Sequence, residues 1–320
     1  MLKSLNELIP TERQRAIFRF LSRIGPATTS QIKTRFEFPS RKSAYKNLWR
    51  LKQANFIEGG DYFSYETGYK EKYWYLAPSG RGGVSPKTMA FVPELKTIRK
   101  DNTIFRGISP SLHEHEFKCV DVMLKLEMDL NKAKNYGYTA ELIDIIGLNR
   151  FLITSKSDKE KNTTRNIYPD RVAVVLFNNE IRFLFFELDV NANEALSIQD
   201  SIEVMRGHFG RKIEVYSAFK KNILQHPQVK KYLECYPEYK VTPFFGNVIT
   251  VCFFKGKNAK EKEMRRLSRL KYYTERHGKG RFFSFGSAQE ILNPNNNLCF
   301  DPIWYRASEN KPVKLFELSL

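Results

Sequence analysis

Two short acidic motifs carry the residue types that could do chemistry in this chain. Tyr168-Pro169-Asp170 stands just before one apolar run, Val172–Phe177, and Glu187-Leu188-Asp189 closes the next, which begins at Ile181. Asn178-Asn179-Glu180 separates the runs, so a tight antiparallel hairpin is predicted. Alternate residues of a strand share a face, which puts Glu187 with Asp189, and the hairpin returns Asp170 beside them. Converging carboxylates repel one another unless cations, donors or water intervene, and Mg²⁺ takes one or two carboxylates while keeping several waters. Asp170 and Glu187 are thus candidate ligands of Mg²⁺ or Mn²⁺, and Asp170, Glu187 and Asp189 are candidate catalytic residues. A metal held there would activate water against a phosphodiester, with a lysine or arginine to steady the developing charge. Arg211 and Lys212, on the helix expected after the acidic strand, are the candidate cations. A plainer reading stands beside this one, because Pro-Asp is ordinary turn chemistry and acids at a strand end often face solvent. His113 and His115, in His-Glu-His-Glu, have strand spacing but open a helical pattern, where capping or exposed histidines compete with metal ligation.

The elements that must position this group alternate. Helices are predicted over about Leu112–Lys132, with Phe117, Val120, Leu124 and Met128 on one face, and over Ser197–Leu224. Val248–Phe254 returns to buried-strand composition, and the charged stretch Lys156–Thr164 has no apolar anchors and is expected to be a loop. The fold class is therefore α/β or α+β.

Upstream, a different pattern points to DNA. Thr11 and Gln14 have capping-box spacing, and Ile17, Phe18, Leu21 and Ile24 recur with helical period until Gly25-Pro26 stops them. Thr28–Phe36 and Ser40–Ala54 read as two further helices, the third burying Ala44, Leu48 and Leu51. Aromatic runs Tyr62–Tyr65 and Tyr73–Leu76 around Glu66–Lys70 then signal a hairpin, and three helices followed by a hairpin predict a winged helix-turn-helix. Its third helix would present Arg41, Lys42, Tyr45 and Lys46 to a duplex, with Lys70 and Lys72 of the hairpin on the backbone or minor groove. The plainer reading is that these charges only solvate an ordinary helix, but helix order, basic helix and basic hairpin agree on duplex DNA.

Composition narrows the class. The 320 residues hold 53 Lys and Arg against 35 Asp and Glu, a net +18, which suits a polyanionic partner. At 42% apolar residues the chain can bury at least one sizeable core, and its length suggests about two domains. No run approaches the roughly 18 apolar residues of a membrane span, and the opening residues lack the pattern of a secretory leader, so no membrane is expected. Four scattered cysteines suggest neither a zinc ribbon nor a disulfide framework, and the cytoplasm is the simplest setting. Lys255–Arg281 holds eleven Lys and Arg against three Glu, with Leu267, Leu270 and Tyr273 at helical spacing. Arg265, Arg266 and Arg269 there are further candidate DNA contacts, although a solvated arm or an acidic protein partner fits the same pattern.

Taken in order, the winged-helix pattern, LHEHEFKCVDVML, YPDRVAVVLF, FLFFELDVNANEAL and RKIEVYSAF resemble the replication-relaxation proteins of plasmids and other mobile elements, over about residues 10–255. The resemblance implies a winged helix joined to a PD-(D/E)xK nuclease-like domain, with His115, Asp170, Glu187, Asp189, Lys212 and Tyr216 at the matching positions. It implies a role in plasmid replication or mobilisation, with double-stranded DNA and replication or mobilisation proteins as partners. One departure bears on the chemistry: the lysine that such nucleases carry two residues after the second acid is replaced by Asp189, so that Lys212 or Arg211 would have to supply the cation. The expected layout is a winged helix over 1–82, a linker over 83–111, the nuclease-like domain over 112–255 and a basic extension over 256–320. A DNA-binding replication or mobilisation protein leads, ahead of a metal-dependent endonuclease and a transcriptional regulator.

Overall fold

Local signals start most helices where the sequence places them. Thr11 and Thr28 each accept from the amide three residues on, and Gln14 and Gln31 return the bond, so both capping boxes close. They open α1 (Glu12–Ile24) and α2 (Thr29–Arg35), joined by the short strand β1 (Ala27–Thr28). Ser40 caps α3 (Arg41–Gln53), which buries Ala44, Leu48 and Leu51. Strands β2 (Ile57–Phe63) and β3 (Lys70–Leu76) follow and form a three-stranded antiparallel sheet with β1, in the order β1-β3-β2. Gly60 of β2 makes room for the ring of Tyr73, which a Cβ there would meet at 2.5 Å.

The structure is a computed structural model that describes residues 8–63, 68–79, 84–97, 113–147, 151–156, 164–190, 209–220, 222–241, 248–254, 256–276, 282–307 and 309–316. The chain divides into two units, Met1–Leu124 and Lys125–Leu320. In the first unit this differs from the expected layout in two ways. Part of the segment read as a linker, residues 84–97, is packed into the first unit: α4 (Pro86–Phe91) sets Phe91 against Phe56, and Glu94 binds Arg19 at 2.6 Å. The first residues of α5 (His113–Leu130) belong to that unit too, where Phe117 joins Tyr62 and Tyr73 in an aromatic cluster. Of the predicted apolar face of α5, Phe117, Val120 and Leu124 are buried, but Met128 is 46% exposed. The tip of the hairpin, residues 64–67, lies outside the described residues.

The second unit is built on a mixed sheet. β4 (Ala140–Gly147), β7 (Arg171–Phe177) and β8 (Glu180–Val190) run antiparallel, and Asn178 and Asn179, both at positive φ, make the tight turn between β7 and β8. β10 (Val248–Phe253) and β11 (Phe283–Ser287) then add in parallel, giving the order β11-β10-β8-β7-β4, and β9 (Lys240–Val241) pairs with the start of β8. A separate two-stranded ladder joins β5 (Ile153–Lys156) to β6 (Thr164–Ile167). The expected loop between these strands falls on 157–163, outside the described residues.

Parallel neighbours need crossovers, and two helices supply them: α6 (Phe209–Lys220) between β8 and β10, and α8 (Ala259–Arg276) between β10 and β11, with α7 (Pro227–Cys235) after α6. Ile213, Tyr216 and Phe219 of α6 and Leu267, Leu270 and Tyr273 of α8 share one core with Val172, Val174, Phe183 and Phe185. The segment read as a basic extension is thus part of the sheet and its core. The short helix α9 (Ala288–Ile291) follows β11, and further on Phe177 stacks on Phe316 at 4.6 Å while Trp304 is fully buried. Among the described residues no helix is long and apolar enough to cross a membrane.

Candidate functional site

The hairpin of β7 and β8 brings the two acidic motifs together. Arg171 pairs with Phe186, so Asp170 and Glu187 occupy the next opposed positions, on the face that α6 covers. Asp170 fastens itself to the neighbouring strand by accepting from the Leu188 amide at 2.7 Å. Glu187 is 3% exposed and accepts two bonds: from the Lys212 ammonium at 2.5 Å and from the Tyr216 hydroxyl at 2.7 Å. Lys212 and Tyr216 are four residues apart on α6, one turn of the same face, and that spacing lets both reach one carboxylate.

Electrostatics follow from burial and crowding. Burial pushes the Glu187 carboxyl above its ordinary range; Lys212 opposes this and the Asp170 carboxylate adds to it. For Lys212, burial disfavours the ammonium, but Glu187, Asp170 and Asp189 outweigh it and hold the pKa above the usual lysine value. The lysine is therefore a fixed positive charge. Burial, reinforced by Glu187, raises the Tyr216 phenol well above its ordinary value, so it stays a donor.

Asp189 sits at the edge of this group with another partner, accepting from Arg266 of α8 at 2.6 Å. Arg266 is accordingly an ion-pair partner of Asp189, its position on α8 turning it toward the strand end. Arg265 is paired with Glu261 on the exposed side of the same helix, and Arg269 is partly exposed. The side chain of Arg211 lies outside the described residues.

Sequence reading missed Thr250. On β10 it pairs with Glu187 and so shares its face, is 4% exposed, and its hydroxyl has no hydrogen-bond partner among the described residues. The one signal was a hydroxyl inside the apolar run Val-Ile-Thr-Val-Cys. Asp170 and Glu187 are hard oxygen donors on adjacent strands, of the kind Mg²⁺ or Mn²⁺ takes, and both Glu187 oxygens already accept, from Lys212 and Tyr216. Among the described residues no group of three or more Asp, Glu, His or Cys stands ready to hold a metal. His113 is packed against Tyr62, Tyr73 and Phe117, with ring centres 5.0–5.8 Å away, and His115 lies 3.6 Å from Glu116.

In the first unit, Arg41, Lys42, Tyr45, Lys70 and Lys72 converge. With Thr29, Asp61 and Glu71 they line a groove of about 420 Å³ between α3 and the hairpin. Two of its cations are already countered: Lys72 binds Asp61 at 2.7 Å, and Arg41 lies 3.7 Å from Glu71. The hydrogen bond from Lys72 holds the Asp61 carboxyl below its ordinary pKa. Glu71 also accepts from the Ser30 amide at the start of α2, at 2.6 Å, which ties the hairpin to the helices. Lys46 is exposed on α3, one turn beyond Lys42. No family model matches the chain, and neither a curated protein nor a solved structure matches it.

Proposed function

We propose that the chain is a DNA-binding protein of the replication-relaxation kind, acting in plasmid replication or mobilisation in the cytoplasm. In this reading its first unit is a winged helix that docks on duplex DNA. The observation that carries it is the groove: five of the six cationic or aromatic residues assigned to DNA in this unit line one surface between α3 and the hairpin. A helix start with exposed cations, flanked by Lys70 and Lys72 of the hairpin, suits a major groove and its adjoining phosphates. Changing Arg41, Lys42 and Lys46 together to alanine tests the reading by the salt dependence of duplex affinity. Each phosphate neutralised contributes about 0.9 to the slope of log affinity against log salt, so the slope should fall by about 2–3. A folded triple variant with the wild-type slope would remove this surface as the contact.

A second reading, a metal-dependent DNA endonuclease of PD-(D/E)xK type, is favoured by one specific observation: Lys212 reaches Glu187 from α6. The cation missing at position 189 is then supplied from the helix. Asp170 and Glu187 would hold Mg²⁺ or Mn²⁺, Lys212 would face the phosphate charge, and Tyr216 would orient Glu187. The metal, when bound, would supply the activated water. Supercoiled plasmid incubated with Mg²⁺, Mn²⁺ or EDTA decides between the readings. Cutting that needs metal and disappears in Glu187→Ala makes the protein a nuclease, and uncut plasmid under all three conditions leaves it a binding protein.

A further inference from the structure

One face of α3 carries an aromatic pair of which duplex docking uses Tyr45 and leaves Trp49. Trp49 is 41% exposed, whereas the two other tryptophans of the chain, Trp74 and Trp304, are 1% and 0% exposed. Tyr45 stacks on Trp49, with ring centres 6.0 Å and planes 20° apart, and its own ring meets the buried Trp74 at 5.8 Å. The pair is thus anchored in the core. One turn further along α3, Lys52 places its ammonium 5.6 Å from the centre of the Trp49 ring. The indole therefore has a fixed aromatic neighbour one turn before it and a flexible lysine one turn after it.

A flat ligand can take the place of that lysine over the indole at small cost in order, since the aromatic pair is already in position. The surrounding charge decides what the flat ligand carries. Lys42, Lys46 and Arg50 are exposed along the same helix, and Tyr45 also lines the cationic groove. A flat ring joined to a polyanion is a nucleobase of an unpaired strand. A duplex offers a protein only base edges and backbone, because its base faces are taken up in the stack.

We propose that Trp49, backed by Tyr45, is a stacking platform for an unpaired base, so that the first unit binds single-stranded DNA where it leaves a duplex. This rests on the reading that the first unit binds DNA, and it names the form of DNA that the unit takes. The displaced Lys52 would meet the phosphate beside the stacked base.

The full chain tests this through its own fluorescence, since Trp49 is the exposed tryptophan. Three probes are used: a thymidine oligonucleotide, a blunt duplex, and the same duplex with a single-stranded thymidine overhang. The oligonucleotide and the overhang should quench the emission, and the blunt duplex should bind with little quenching. Trp49→Ala should weaken the oligonucleotide on the order of tenfold and the blunt duplex less than twofold, while Trp49→Phe, which keeps a ring, should bind both within about twofold of wild type. Equal losses for both probes in Trp49→Ala, an unchanged oligonucleotide affinity, or equal quenching by the blunt duplex overturns the platform and leaves duplex docking standing. Failure of the wild type to bind any of the three overturns docking and platform together.

Discussion

Removing the Lys212 ammonium leaves a carboxylate that is 3% exposed facing Asp170, with Tyr216 as its side-chain donor among the described residues. Lys212→Met should therefore destabilise the fold by about 2–4 kcal/mol, towards the low side for a broken buried pair because the lysine side chain is 25% exposed. Glu187→Gln in the same chain should restore much of that loss, since no buried charge then lacks its counterpart; urea denaturation of the two single variants and the double variant measures the coupling. A pH signature follows with a definite sign. The folded pKa of Glu187 lies above its unfolded value, so the folded chain holds this proton longer. Stability from it is fully present below the ordinary carboxylate range, about 4.3, and is lost as pH rises through the folded value. Glu187→Gln should remove that decline, so its stability relative to wild type should improve as pH climbs from about 4; a constant difference between the two would contradict the burial effect.

At the scale of one element, α8 divides its residues by face. Leu267, Leu270 and Tyr273 enter the core, Arg265 points outward with Glu261, and Glu263 and Arg266 reach the sheet. Glu263, fully buried, accepts from the Phe254 amide, the Ser287 hydroxyl and the Gln289 amide, and so pins both flanking strands. Glu263→Ala should cost about 2–4 kcal/mol in thermal or urea unfolding by stranding these donors, whereas Arg269→Ala should cost less than about 0.5 kcal/mol. A small effect of Glu263→Ala would mean that water reaches those donors. The apolar stripe of α8 was legible because three residues at helical spacing stand out in a basic run. Glu263 and Arg266 were not, since charge in such a run reads as solvated until the partner strands are known. The same limit hid α4: six residues are too few for a 3.6-residue period, so a packed segment that follows Gly-Arg-Gly-Gly in the chain passed for a linker. After β11, Trp304 pairs singly with Val313, and Tyr305 with Phe285, which leaves no periodic trace. The β7–β8 hairpin and the meeting of Asp170 with Glu187 were legible because two-residue alternation and an Asn-Asn turn fix register directly.

Across the whole chain, the net +18 is set on two units, and the first can be tested for independence because its contacts extend well beyond the three helices and hairpin. Gln31 of α2 donates to the Phe117 carbonyl and to Asp121, both at 2.8 Å, and Arg19 of α1 holds Glu94. Phe91 covers Phe56, and Phe117 lies 4.7 Å from Tyr62 and 5.5 Å from Tyr73. A fragment ending at residue 82 loses every one of these partners and leaves Gln31, buried in the unit, without its acceptors. A fragment ending at residue 130 keeps them together with the whole of α5. The longer fragment should therefore melt cooperatively, and the shorter one should melt several degrees lower and more broadly, because a difference of 1 kcal/mol moves the midpoint of a 60–100-residue domain by roughly 4–8 °C. Circular dichroism on both fragments reads this directly, and duplex affinity in parallel separates stability from docking. The groove residues are present in both, so the longer fragment should bind duplex with a shallower salt slope than the full chain, having lost the cations of α8. If the fragment ending at 82 melts as sharply and as high as the longer one, the packing of α4 and α5 contributes nothing and the smaller unit stands alone; if the longer fragment keeps the full salt slope, α8 takes no part in holding DNA.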